Sequence, residues 1–112
     1  MMPMPTDDPR QAAYTALTER ILKGDGRAPH DLRRRAFSNV ELSEPLRTLL
    51  AKVATTPTQV TEADFVAARA AGFSEDQIFE LVICAAVGQS TRLYETGLAA
   101  LAEATAQTGV VA

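Results

Sequence analysis

A chain of 112 residues with a formal net charge of −3 fits one domain, and it can bury about two-thirds of its unfolded surface in a single core. The mildly acidic charge argues against nucleic acid as a partner, because nucleic-acid-binding domains usually carry a basic face. The single cysteine excludes an internal disulfide framework and is typical of proteins in a reducing cytoplasm.

The composition predicts an all-α fold. Alanine is abundant, and no segment alternates apolar and polar residues as a strand would. We expect a single-domain bundle of about five to six helices over residues 9–107, with a flexible tail at 1–8 and a frayed end at 108–112. The longest apolar run, Leu81 to Val87, is too short to span a bilayer, and no signal peptide is evident. We therefore expect a cytoplasmic protein without membrane contact.

The first half of the domain contains three predicted helices. Pro9 opens a helix over residues 9–23, and Pro29 opens a shorter one from His30 to Phe37. In the short helix the run Arg33 to Arg35 is expected to lie mostly in water, while three residues are expected to be buried: Leu32, Ala36 and Phe37. Ser43 is predicted to cap the third helix, which ends at Thr55-Thr56-Pro57-Thr58 because proline disfavours helical geometry in the preceding residue.

Thr61 and Asp64 then form a capping box that starts a fourth helix, with Phe65, Ala68 and Ala71 predicted to face inward. Gly72 suits a tight corner between helices, and Ser74 with Gln77 forms a second capping box. The following run from Leu81 to Val87 has no polar face, so we expect this central helix to be covered on every side.

The sequence does not determine whether the central helix ends near Gly88 or continues. At Gly88-Gln89-Ser90 the sequence allows either a kink or a helix that continues straight through. Beyond it, Tyr94, Leu98 and Leu101 continue an apolar stripe to about residue 106.

One stretch resembles a known family. The pattern Gly72-x-Ser74-x-x-x-Ile78-Phe79-Glu80, followed by Ala85-Ala86 and Arg92, resembles the second half of the alkylhydroperoxidase D-like and carboxymuconolactone decarboxylase-like superfamily. The order of helices also fits, and the resemblance covers about residues 36–106. It implies an all-α fold of the alkylhydroperoxidase D type whose small subunits assemble into homo-oligomers, commonly trimers or hexamers.

The resemblance also implies which chemistry is missing. Peroxidases of this superfamily carry Cys-x-x-Cys-x-x-x-His, and the family spacing places those three residues on Pro57, Val60 and Asp64. A peroxidatic cycle needs one thiol to attack and a second to resolve it, so thiol peroxidase activity is not expected. The upstream glutamate falls on Pro45, next to Glu44, and the histidine of the decarboxylase branch has no counterpart. The chain thus resembles a member that kept the scaffold and lost the redox site, as a pseudoenzyme.

Four residues are candidates for a remaining polar site. Glu80, deep in the central helix, needs a partner such as an arginine, either as a functional carboxylate or as one half of a structural ion pair. Asp64 and Tyr94 could serve beside it as acid or base, although the capping box is the more common role for an acidic residue at the position of Asp64. Arg92 could hold an anionic substrate. Cys84 is expected to be a buried structural thiol.

No cofactor or metal site is expected, because the chain has one histidine, His30, and one cysteine. Three functions remain open. The first is a non-redox homo-oligomeric binding or accessory protein. The second is a decarboxylase-type enzyme acting on a small anionic substrate through a carboxylate acid or base. The third is a regulatory partner protein that uses the basic cluster Arg33 to Arg35, although such runs are more often solvated faces.

Overall fold

In the computed structural model, residues 9–108 are described, with side chains to residue 106, and every regular element in this range is helical. The elements are α1 (Pro9–Lys23), α2 (His30–Ser38), α3 (Leu46–Thr55), a 3-10 turn (Pro57–Gln59), α4 (Glu62–Ala70) and α5 (Glu75–Thr108). The predicted all-α class is confirmed. The predicted tail at 1–8 lies outside the described residues, as do residues 109–112; Thr108, predicted to be frayed, is the last helical residue.

Helix α5 organises the molecule. Its 34 residues are about 51 Å long, close to the 57 Å long axis of the whole structure, and the helix continues through Gly88, Gln89 and Ser90 without a break. Ile78, Leu81, Cys84 and Ala85 in its first half are buried in the core. In contrast, every residue from 93 to 106 is exposed. One half of α5 is therefore a core helix, and the other half projects from the domain.

The core lies where α2 and α3 pack against the first half of α5. Its buried residues from the other elements are Ala28, Ala36, Leu42, Leu46, Leu49, Leu50 and Ala68. Helix α1 packs on the outside of this layer and has no buried residue of its own, although Ile21 contacts the core. The helices before α5 thus cover only one side of it.

Both predicted capping boxes contain their reciprocal contacts. Ser74 Oγ accepts from the Gln77 amide at 3.1 Å, and Gln77 Oε1 accepts from the Ser74 amide at 2.9 Å. At the start of α4, the Asp64 carboxylate accepts from the Thr61 amide at 2.8 Å. Gly72 has a φ of 106°, a left-handed conformation that glycine adopts without strain. The predicted corner between α4 and α5 is confirmed.

Three local predictions were wrong. Ser43 does not cap α3 through its side chain; instead the Glu44 carboxylate accepts from the Thr48 amide and hydroxyl at 3.2 and 2.7 Å. Phe65 is 38% exposed and Ala71 is exposed, since α4 turns only Ala68 into the core. The run from 81 to 87 is not covered on every side either. Ala86 in this run is exposed because nothing in the described chain packs over that side of α5.

The helices of the described range have no span that is both long enough and apolar enough to cross a membrane.

Gly88 marks the closest approach between α2 and α5. A Cβ at this buried position would overlap the carbonyl oxygen of Phe37, the same oxygen that accepts from Arg92 Nη1 at 2.7 Å. At Gly97, further along the same helix, a Cβ would meet nothing within 4 Å. Both glycines lie within the same helix, but Gly88 is buried against a packed backbone and Gly97 is exposed.

We predict opposite effects for Gly88→Ala and Gly97→Ala. The first should lower the free energy of unfolding by about 2 kcal/mol, because α2 must move away from α5. The second should raise it by about 1 kcal/mol through the higher helix propensity of alanine. Urea unfolding followed by circular dichroism measures both. Equal effects of the two substitutions would contradict the close contact at Gly88.

Candidate functional site

The Glu80 carboxylate holds the loop between α1 and α2. Its oxygens accept from the Arg27 amide at 2.9 Å and from the Ala28 amide at 2.8 Å. Gln77, one turn earlier on α5, donates to the Arg27 carbonyl at 3.2 Å. Two side chains of α5 therefore bind the backbone of one loop segment. Because this loop joins α1 to α2, the contacts fix the position of both helices against α5.

Arg33 completes this cluster and corrects a prediction. The sequence placed Arg33 to Arg35 in water, but Arg33 is only 3% exposed, while Arg34 and Arg35 are exposed and paired with Asp31. Arg33 Nε donates to the Ala28 carbonyl at 2.8 Å and Nη1 donates to the Gly24 carbonyl at 2.7 Å. Its Nη2 lies 3.8 Å from Glu80 Oε1. The buried guanidinium therefore donates its hydrogen bonds to the backbone of the same loop.

The charge state of Glu80 follows from these contacts. Partial burial raises the pKa of Glu80, but the amides of Ala28 and Arg27 and the charge of Arg33 outweigh this effect. The net result is a pKa below the usual 4.5. Because every polar contact of the Glu80 carboxylate stabilises its ionised form, it fits a structural anchor better than a proton donor.

The Asp64 carboxylate already has hydrogen-bond partners at the start of α4. Its carboxylate accepts from Lys52 Nζ at 3.0 Å as well as from the Thr61 amide, so that it joins α4 to α3. The backbone hydrogen bond from Thr61 and the Lys52 ammonium together hold the pKa of Asp64 below its usual range. This is the capping role that the Thr-x-x-Asp spacing predicted, with an added ion pair.

Arg92 and Tyr94 lie on the far side of the core. Arg92 Nη1 donates to the Phe37 carbonyl, and its Nη2 donates to Gln89 Oε1 at 2.9 Å. The Tyr94 ring stacks on Tyr14 of α1 with centroids 5.9 Å apart. Twelve residues of helix separate Arg92 from Glu80, which is about 18 Å along the axis. The four predicted site residues therefore hold different parts of the fold together and do not line a common pocket.

The other chemically notable residues are also accounted for. Cys84 is 1% exposed, its Sγ donates to the Ile21 carbonyl at 3.6 Å, and burial raises the pKa of its thiol to about 11. His30 is exposed at the first residue of α2. Within residues 9–108, no three side chains of the metal-ligating types come together. These positions do not form a catalytic constellation.

What remains are two exposed apolar surfaces, which we define here. The α5 face begins at the end of the core half of the last helix, continues along its projecting half, and consists of Ala86, Ser90, Leu93, Gly97, Ala100, Leu101 and Ala104. The α4–α5 groove has a volume of about 610 Å³ and is lined by Glu62, Phe65, Val66, Arg69, Glu75, Asp76, Ile78, Phe79 and Val82. The sequence predicted apolar stripes on both helices, but it does not show which of these residues stay uncovered, because burial depends on how the elements meet.

A scan against protein-family models, a search of curated proteins and a search of solved structures all found no match. The superfamily resemblance therefore stays a prediction. The function must be inferred from the surfaces of the fold.

We predict that Glu80→Gln lowers the free energy of unfolding at pH 7 by about 2 kcal/mol, because Arg33 and the loop amides lose a charged acceptor. Since the pKa of Glu80 is lowered in the folded state, its contribution is present above pH 4.5 and is lost as the pH falls through the folded pKa. The difference between wild type and variant should therefore narrow from pH 5 to pH 3 in urea titrations. Glu103→Gln, at an exposed position of α5, is the matched control and should leave stability nearly unchanged. A difference that is constant with pH would contradict the anchor.

Proposed function

We propose that this protein is a non-redox, self-associating binding or accessory protein that assembles through the α5 face. The observation that carries the proposal is the exposure of Leu93 and Leu101, at 62% and 64%, on a helix that projects beyond its own domain. Isolated helices are marginal in water and usually gain their stability from packing of an apolar face. A second chain would supply that packing.

The α5 face has the pattern of a helix–helix interface. At 100° per residue, its members lie within about 60° of Gly97 on the helix surface, whereas Arg92, Glu95 and Glu103 lie about 120° or more away. The face itself is free of charge. Gly97 and the alanines around it allow two backbones to approach closely.

The α5 face is also complementary to itself. Leu93 and Leu101 are each four residues from Gly97, so two antiparallel copies crossing at Gly97 would place Leu93 of one against Leu101 of the other. This is the arrangement that a two-fold axis requires. A hexamer, one of the two assemblies that the resemblance implies, can be built from three such pairs. A trimer cannot use the face in this way.

The strength of the pairing can be bounded. Four leucines are buried per pair, each contributing at most about 2 kcal/mol. Association costs about 4–15 kcal/mol, so the α5 face alone supports a weak pair that depends on concentration. Assembly must therefore be measured over a range of protein concentrations.

The decarboxylase alternative gains no support from the geometry. It needs Glu80, Asp64, Tyr94 and Arg92 around one substrate, and each of these side chains has a separate structural partner. The peroxidase route lacks a second thiol, and the single thiol is buried with a raised pKa.

We predict that the double variant Leu93→Glu, Leu101→Glu loses self-association, because four carboxylates would meet at the crossing point. Light scattering coupled to size exclusion should report a mass that rises with concentration for the wild type and stays at 12.0 kDa for the variant. Ala99→Glu, on the opposite side of the same helix, is the control and should assemble as the wild type does. A wild-type chain that remains at 12.0 kDa up to its solubility limit would contradict the proposal.

A further inference from the structure

The α4–α5 groove is built from matching stripes of two helices. Helix α4 contributes Glu62, Phe65, Val66 and Arg69, which are spaced i, i+3, i+4 and i+7 and so lie on one face. Helix α5 contributes Asp76, Phe79 and Val82 at spacings of three, together with Glu75. Buried Ile78 also borders the groove. Two helices joined by a tight corner thus present an apolar channel about two turns long.

The apolar side chains of this groove are exposed to an unusual degree. Phe79 is 66% exposed and Val66 is 58% exposed, although both lie on well-formed helices beside the core. Large exposed apolar groups that adjoin one another mark interaction sites in soluble proteins. No element among residues 9–108 covers them, so the space above the groove is open for another molecule.

The rim of the groove is acidic. Glu62, Glu75 and Asp76 contribute three negative charges, and Arg69 contributes one positive charge that is already paired with Glu75 at 3.2 Å. The sum of these four charges is −2. These acidic residues stand in the first turns of α4 and α5, where the positive ends of the helix dipoles stabilise their ionised form. A partner with positive charges would complement this rim.

We propose that the α4–α5 groove binds an amphipathic helical segment of another protein, with apolar residues at i, i+3 or i+4 and i+7 and with Lys or Arg beside them. A third helix laid between two neighbouring helices is the standard way to cover such a channel. The volume of about 610 Å³ accommodates a few large apolar side chains. The basic residues would lie next to Glu62 and Asp76.

The α5 face and helix α2 of a second copy would be poorer occupants. The α5 face carries no lysine or arginine, so it would add apolar contact without complementary charge. The exposed arginines of α2, Arg34 and Arg35, are both paired with Asp31 in their own helix. Phe79 and Val82 lie on the same side of α5 as the α5 face, so the two surfaces adjoin, but they share no residue. A basic helix in the groove would therefore contact residues other than those of the antiparallel pair.

The probe for this proposal is a fluorescent helical peptide of about four turns containing only leucine and lysine, with leucine at the helical spacing. Its control is a peptide with the same leucine positions and glutamate in place of lysine. We expect the leucine–lysine peptide to bind, and the change in amide chemical shifts of the labelled protein to centre on residues 62–82. We expect the glutamate peptide to bind at least tenfold more weakly.

Two pairs of variants test the site. Phe79→Ser should weaken peptide binding about tenfold or more, while Val40→Ser, at another exposed apolar residue, should leave it unchanged. Asp76→Lys should weaken binding, while Glu103→Lys, with the same change in net charge, should have a much smaller effect. Circular dichroism confirms that each variant remains helical.

Several results would overturn the proposal. Equal loss of affinity in Phe79→Ser and Val40→Ser, or shift changes spread over the whole chain, would show non-specific adsorption. Failure of the leucine–lysine peptide to bind would also reject the site. Loss of self-association in Phe79→Ser would assign the groove to a second copy instead. The Leu93→Glu, Leu101→Glu variant distinguishes failure of this proposal from failure of the proposed function: if it still binds the peptide, the groove binds a basic helix whether or not the chain self-associates.

Discussion

The rest of the fold depends on the Glu80 carboxylate and the loop amides that it accepts from. Burying a charged group is costly unless hydrogen bonds and an opposite charge compensate, and here the amides of Arg27 and Ala28 and the Arg33 guanidinium do so. Because Arg33 in turn binds the Gly24 and Ala28 carbonyls, α1, α2 and α5 are joined at one point. The close contact at Gly88 then fixes α2 along α5.

This arrangement explains why α5 has two different halves. Up to Gly88 the helix has partners on one side and contributes four of the eleven core residues of the described range, whereas beyond Arg92 it lies beside α1, where the Tyr14 ring stacks on Tyr94. The projecting half retains leucines and a glycine on a face without charge. In the proposed assembly a second copy covers this face, because its symmetry about Gly97 suits a two-fold axis.

Except at Ser43, the sequence predicted local structure well where a side chain acts on its own backbone. The Thr61 and Ser74 boxes, Gly72 at the corner and Pro57 after α3 all act within a few residues, so spacing alone reveals them. Burial was harder to predict, because it depends on which elements meet. Arg33 was expected in water because nothing in the sequence connects it to residue 80, and Phe65 was expected inside because an apolar residue on a helix usually is. The candidate site residues were proposed from chemical type, and each of them has a packing or hydrogen-bonding partner in the structure.

The register of α5 pairing tests the central claim most directly. In a Cys84→Ala background, chains with Ser90→Cys are mixed with chains carrying Ala104→Cys, and the mixture is oxidised gently. Antiparallel pairing about Gly97 brings these two positions together, while identical positions lie about 21 Å apart along the helices. The account predicts disulfide-linked dimers in the mixture and few in either sample alone. Equal cross-linking in each separate sample, or none in the mixture, would contradict it.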